Sequence, residues 1–137
     1  MPHPAQCSLL GMGTWGPGNL DSDGALDELA TRSAELVEQL WTRVQTQESW
    51  EADEWEHDAL FVDFEFVFAL ETGGLLNGGA LPSPAEVDTV RDRWLAGWDA
   101  YIDQLDPKPE FKRDRRAVIR ETFARFRSIC AKHHDQG

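Results

Sequence analysis

Apolar positions along the chain fall into four stretches, separated by breaks rich in glycine and proline. In the first, Leu26, Leu29, Ala30, Leu36, Val37, Leu40, Trp41 and Val44 repeat with a 3.6-residue period, Ser33 being the one polar gap. This pattern predicts a helix beginning around Asp21 to Asp23, where Asp and Ser side chains can cap free backbone N–H groups, and ending near Gln47. The third stretch opens on Ser83-Pro84-Ala85-Glu86, with Ser as cap, Pro in the first turn and Glu placed to close a capping box. Its stripe Val87, Val90, Trp94, Trp98, Tyr101 and Leu105 carries a helix to Asp106-Pro107. Pro109 opens the fourth, whose buried face reads Phe111, Val118, Ile119, Thr122, Phe123, Phe126, Ile129 and Cys130, with arginines and lysines on the other faces.

The second stretch, residues 58–74, fits two periods. Val62, Phe64, Phe66 and Phe68 alternate as a strand would, and their types favour a strand. Trp55, Ala59, Val62, Phe66 and Ala69 also form a helical stripe. A lone strand would find no partner in this chain for its backbone hydrogen bonds, so the stretch is read as a central helix, buried on most sides and ending at Gly73-Gly74. The fold class expected is all-α: a compact four-helix domain over residues 12–137 with an irregular glycine-rich N-terminal arm. The arm is expected to set Trp15 and Leu20 against the body, and residues 1–11 to be a disordered tail or an extension from an upstream start.

Composition narrows the function classes. The chain has 137 residues, 41% of them hydrophobic, six Trp and seven Phe, and a formal net charge of -12. Such a charge repels phosphate backbones and anionic lipids, so neither nucleic acid nor membrane is expected as a partner, while a basic protein would be attracted. The charge is also divided: residues 1–107 hold 21 acids against 4 bases, and residues 108–137 hold 4 acids against 9 bases. Cys7 and Cys130 lie near opposite ends and form no CxxC, which reads as two free thiols in a reducing, cytoplasmic setting. The N-terminus lacks the basic start and apolar run of a signal peptide.

The opening Met12-Gly-Thr-Trp-Gly-Pro-Gly-Asn-Leu-Asp-Ser-Asp-Gly-Ala-Leu-Asp-Glu-Leu resembles a bacterial domain-of-unknown-function family, number four-two-five-nine, whose members start with MGxWG and run into a DxALD helix. Leu81-Pro82, Trp94, Trp98-Asp-Ala-Tyr-Ile-Asp, Leu105-Asp-Pro and the stretch from Glu110-Phe-Lys to Arg115-Arg116-Ala-Val extend the likeness over most of the chain. The resemblance implies that the domain starts at Met12 and that Glu65 corresponds to a glutamate of the family's central helix. Here that glutamate stands among Phe64, Phe66 and Phe68 beside Asp63, a departure from the family's alanine-rich surroundings. The resemblance implies no activity.

Four groups of residues are candidates for chemistry. Gly13, Gly16 and Gly18 around Trp15 form either an anion-cradling loop or a structural arm; the spacing is that of no phosphate-binding motif, which favours the arm. Glu65, in an apolar helix, is a candidate buried functional carboxylate, or else the partner of Arg116 or Arg120 or of a hydrogen bond from the N-terminal arm. Glu54-x-x-His57 with Asp58 has the spacing of a helical carboxylate metal site but lacks the second ExxH such sites need, and no metal or other cofactor is expected. The run Glu48 to Asp58 places six acids among eleven residues, with Trp50, Glu51, Glu54, Trp55 and Asp58 as the expected partner-binding set. The expected function is therefore non-enzymatic: an acidic, Trp-bearing surface that binds a protein partner, of which an immunity-type protein blocking a basic toxin is one concrete form. The alternative is a small-molecule binder or enzyme whose pocket, lined by Trp94, Trp98, Phe64 and Phe68, surrounds Glu65.

Overall fold

Four helices carry the described chain. The computed structural model describes residues 13–46 and 55–136. Helix α1 spans Asp23–Thr46, α2 Trp55–Thr72, α3 Pro84–Ile102 and α4 Pro109–Gln136, with 3-10 turns at Gly78–Ala80 and Asp103–Leu105. The described residues contain no strand, only an isolated antiparallel bridge between Thr14 and Ser22. The tail at residues 1–11 lies outside the described residues.

The ends form as the side chains dictate. Ser22 Oγ accepts a hydrogen bond from Ala25 N at 3.1 Å and starts α1. Ser83 and Glu86 exchange bonds in a full capping box at the head of α3, a pairing worth about 1 kcal/mol. At the end of α2, Gly74 takes φ +72, which lets Leu75 N reach Leu70 O at 2.8 Å and Gly74 N reach Glu71 O at 3.1 Å. This is the left-handed closure that glycine permits without steric cost.

Side-chain contacts fix the topology. Arg43 meets Asp63, and Ser33, earlier in α1, meets Asn77 just beyond α2, so α1 and α2 run antiparallel; Asp99 meets Arg116 and Asp88 meets Arg127, so α3 and α4 do as well. His57 lies beside Arg115, and Glu71 beside Lys132 and His133, which makes α2 and α4 parallel neighbours. Arg93 of α3 donates to the carbonyls of Val44 and Gln45, satisfying two acceptors at the last turn of α1. The helices thus form two hairpins laid side by side, joined by the connection 73–83.

Rings from both hairpins fill the centre. Trp41 stacks on Phe126 across one diagonal at 5.9 Å, and Phe61 meets Trp94 edge-on across the other at 5.5 Å. Phe64, Trp94, Trp98, Phe123 and Phe126 are essentially inaccessible to solvent. Ser33, the polar gap of α1, is buried and accepts a hydrogen bond from Asn77 N at 2.8 Å.

Two faces turn the other way from the sequence reading. The α2 stripe of Trp55, Val62 and Phe66 points to solvent, and the buried side of that helix is instead His57, Leu60, Asp63, Phe64, Val67 and Phe68. On α4, Phe111 and Val118 are 56% and 46% exposed, because α2 and α3 together cover only the face centred on Ile119, Phe123 and Phe126. Leu20 is likewise exposed rather than set against the body, while Trp15 is half-buried.

Candidate interaction surface

Helix α2 is apolar around nearly its whole circumference, yet α1 and α4 cover only part of it. Such a helix is normally enclosed on all sides. Here Trp55, Val62 and Phe66 are exposed to 71%, 50% and 56%, with Ala59 and Ala69 between and beyond them. Spacings of seven and four residues align the three large side chains on one ridge. Asp58 and Glu65, also seven apart, run along one flank of that ridge, and Glu56 stands on the other. On α1 itself, Glu35, Glu38, Gln39, Thr42, Arg43 and Thr46 line a shallow, open depression. Glu35, Glu38, Glu56, Asp58 and Glu65 form no ion pair among the described residues.

Trp55 and Asp58 of the expected partner-binding set thus lie together on this surface, while Trp50, Glu51 and Glu54 lie outside the described residues. Glu65 requires correction. It is exposed and belongs to the acidic edge of the ridge, neither buried nor paired with Arg116 or Arg120; Arg116 instead forks onto Asp99 at 3.0 and 3.1 Å. The physical reason is rotational. A helix that is apolar on every side gives no moment to orient it, and the outward side is the one carrying Asp58 and Glu65 at the same angle. The ring-lined pocket expected around Glu65 is equally displaced: Phe64, Trp94 and Trp98 pack into the solid core on the opposite side of α2.

The buried carboxylate of α2 is Asp63. Its Oδ2 accepts from Arg43 Nη1 at 2.8 Å, with the aspartate side chain 11% exposed and the arginine 26%. Burial pushes the Asp63 carboxyl above its ordinary value, against the opposing pull of the Arg43 charge. This pair joins α1 to α2 beneath the apolar ridge and consumes the cation that α1 offers there. A seven-residue relation between Leu60 and Val67, with Asp63 between them, was the available sign that Asp63 faces inward.

His57 is buried between Phe61 and Trp94, at ring separations of 5.0 and 5.5 Å, and Arg115 Nη2 lies 3.3 Å from its Nε2. A guanidinium can only donate, so Nε2 accepts and the ring proton sits on Nδ1. Burial lowers the Arg115 pKa, with the charge of Asp58 acting against that shift. The same guanidinium lies 4.5 Å above the Phe61 ring, as Arg125 lies 4.4 Å above Phe68. His57 is therefore built into the α2–α4 seam rather than offered as an ExxH ligand, and Glu54 lies outside the described residues. His133 bonds Glu71 and His134 bonds the Leu81 carbonyl. No group of three or more His, Cys, Asp or Glu among the described residues is placed to hold a metal ion.

The glycine arm is closed on itself. Trp15 N bonds Asp21 O, Asp23 N bonds Gly13 O, and Gly18 N donates to Asp21 Oδ2 at 2.8 Å. A Cβ at Gly16 or Gly18 would stand 2.6 or 2.5 Å from that same carboxylate oxygen, and Gly13 adopts φ +68. The cradle that an anion would need is filled by the Asp21 side chain, which is the structural-arm alternative. Most cations of α4 are engaged inside the fold: Lys112 with Asp103, Arg116 with Asp99, Arg127 with Asp88 and Lys132 with Glu71. Glu56, Asp58 and Glu65 around the α2 ridge are among the acids that make no ion pair within the described residues.

Compared with known proteins, the chain matches no family model, no curated protein and no solved structure. No helix among the described residues is long and apolar enough to cross a membrane.

Proposed function

We propose that the protein is a non-enzymatic interaction module whose docking face is the outward side of α2. The observation that carries this reading is the exposure of Trp55, Val62 and Phe66 on a helix whose composition calls for cover on every side. Large aromatic side chains in a ridge supply the desolvation energy of a protein contact, and the surrounding acids hasten encounter with a partner of opposite charge. A protein partner fits better than a small molecule, since the ridge is convex and Glu65 lines none of the concavities on α1, on α3–α4 or beside Leu26. The likeness to the MGxWG-opening family is part of the same proposal and rests on the sequence itself, from Met12 to Leu29.

The test is retention of a protein from the source organism by the immobilised chain at low salt. Wild type and a Val62→Asp/Phe66→Asp variant, matched in circular dichroism and melting point, are compared. A protein held by the first and released by the second is the expected result. Equal retention by both would place the contact elsewhere and overturn the reading.

A further inference from the structure

We infer that the occupant of the α2 ridge is an amphipathic helix whose apolar stripe is bordered by lysine and arginine. This deepens the docking reading above and rests on it. The ridge from Trp55 to Phe66 covers eleven residue steps, or about 16 Å at 1.5 Å per residue, which three turns of a partner helix would match. Exposed side chains at spacings of seven and four residues make Trp55, Val62 and Phe66 a ridge of the kind that packs into the groove of a second helix. The described residues hold no strand and so no sheet edge to which an extended peptide could add.

Charge selects the borders of that helix. Glu56 stands on the side of the ridge toward α1, and Asp58 and Glu65 on its other flank. Of the cations near the region, Arg43 is bonded to Asp63, Arg125 lies over Phe68, and Arg115 lies over Phe61 within the field of Asp58, which leaves Glu56 and Glu65 as the freest carboxylates of the two flanks. Basic residues flanking a partner's apolar stripe would meet unpaired carboxylates on both sides. A second copy of this chain, offering the same face, would instead oppose acid to acid in a molecule that already carries a net charge of -12.

The experiment uses three labelled synthetic peptides of roughly five helical turns. One carries a leucine stripe flanked by lysine, one the same stripe flanked by glutamate, and one the lysine composition scrambled so that no stripe forms. Fluorescence anisotropy measures each against the full chain, against Phe66→Asp and against Asp58→Asn/Glu65→Gln, with folding verified by circular dichroism. The expected result is binding of the lysine-flanked stripe, weakened about tenfold or more by either variant and by salt. Equal affinity for the lysine- and glutamate-flanked stripes, both lost in Phe66→Asp, would overturn the basic helix and leave the docking face standing. Binding of the scrambled peptide as tightly as the striped one would reduce the effect to bulk charge and overturn the inference. Binding of the striped peptide undiminished in Phe66→Asp would overturn the face itself, and absence of binding by every peptide would overturn a helical occupant.

Discussion

Replacing Arg43 by Met removes the cation from Asp63 while keeping most of the aliphatic stem in place. The carboxylate left behind is 11% exposed, with its 2.8 Å partner gone. Leaving such a group uncompensated costs about 1–3 kcal/mol, less than for a fully enclosed pair because Arg43 itself retains 26% exposure. At roughly 4 °C per kcal/mol for a domain of this size, the melting point should fall by about 4–12 °C at neutral pH. The pH dependence follows from the direction of the Asp63 shift. Burial already raises its folded-state pKa, so ionisation costs stability as the pH climbs from the ordinary aspartate range through the folded value. Without Arg43 that value rises further, so the deficit of the variant should be largest near neutrality and shrink as the pH falls toward about 4. The double change Arg43→Met/Asp63→Leu removes both charges and should be within about 1 kcal/mol of wild type, or more stable. Thermal and urea unfolding of the three proteins at several pH values decide the matter. A double variant as unstable as the single one, or a deficit constant with pH, would show that the pair is not limited by desolvation of Asp63.

The orientation of α2 predicts opposite outcomes at adjacent aromatic positions: Phe64→Ala should cost about 3–5 kcal/mol in urea unfolding, whereas Phe66→Ala should cost less than about 1 kcal/mol. Burial pushes the Glu71 carboxyl up, but bonds from His133 and Lys132 and their charges outweigh it and hold the carboxyl below its ordinary range. Its contribution is therefore present above the ordinary glutamate value and lost as the pH falls through the folded one, so Glu71→Gln should lower the melting point at neutral pH and converge with wild type in acid. Burial pushes the Cys130 thiol up to about 12, so in a Cys7→Ser background alkylation should proceed only as fast as the protein unfolds, and rapid labelling of folded protein would contradict its enclosure.

Much of the fold was legible because helix ends are written locally. Ser83 with Glu86, Gly74, Pro109 and Ser22 each act on backbone groups within a few residues, and every one terminates or starts a helix where its chemistry requires. The absence of a plausible strand partner was enough to settle residues 59–70 as helix. Rotation about the helix axis was not legible, for a different reason. The stripe through Trp55, Val62 and Phe66 and the one through Leu60, Phe64 and Val67 are equally apolar, so only the neighbours decide which is covered. Asp58 and Glu65, set on one side, were the decisive polar marks. Glu65 was read as a buried charge because it was judged by adjacent residues in sequence, which on a helix point in other directions. Phe111 and Val118 were placed inward on α4 by period alone, which does not show how wide a face α2 and α3 cover.

The arrangement of two antiparallel hairpins bears on how the chain comes together. Each hairpin is built from contacts between consecutive helices, the kind that form early and at small entropic cost, whereas Trp41 on Phe126 and Phe61 on Trp94 join residues far apart in sequence. The central aromatic seam is then an assembly step within one molecule, and the connection 73–83 is a tether that sets the local concentration of one half around the other. Cleaving that tether would turn an intramolecular docking into a bimolecular one, with the acidic first half drawn to a second half whose last helix is cationic.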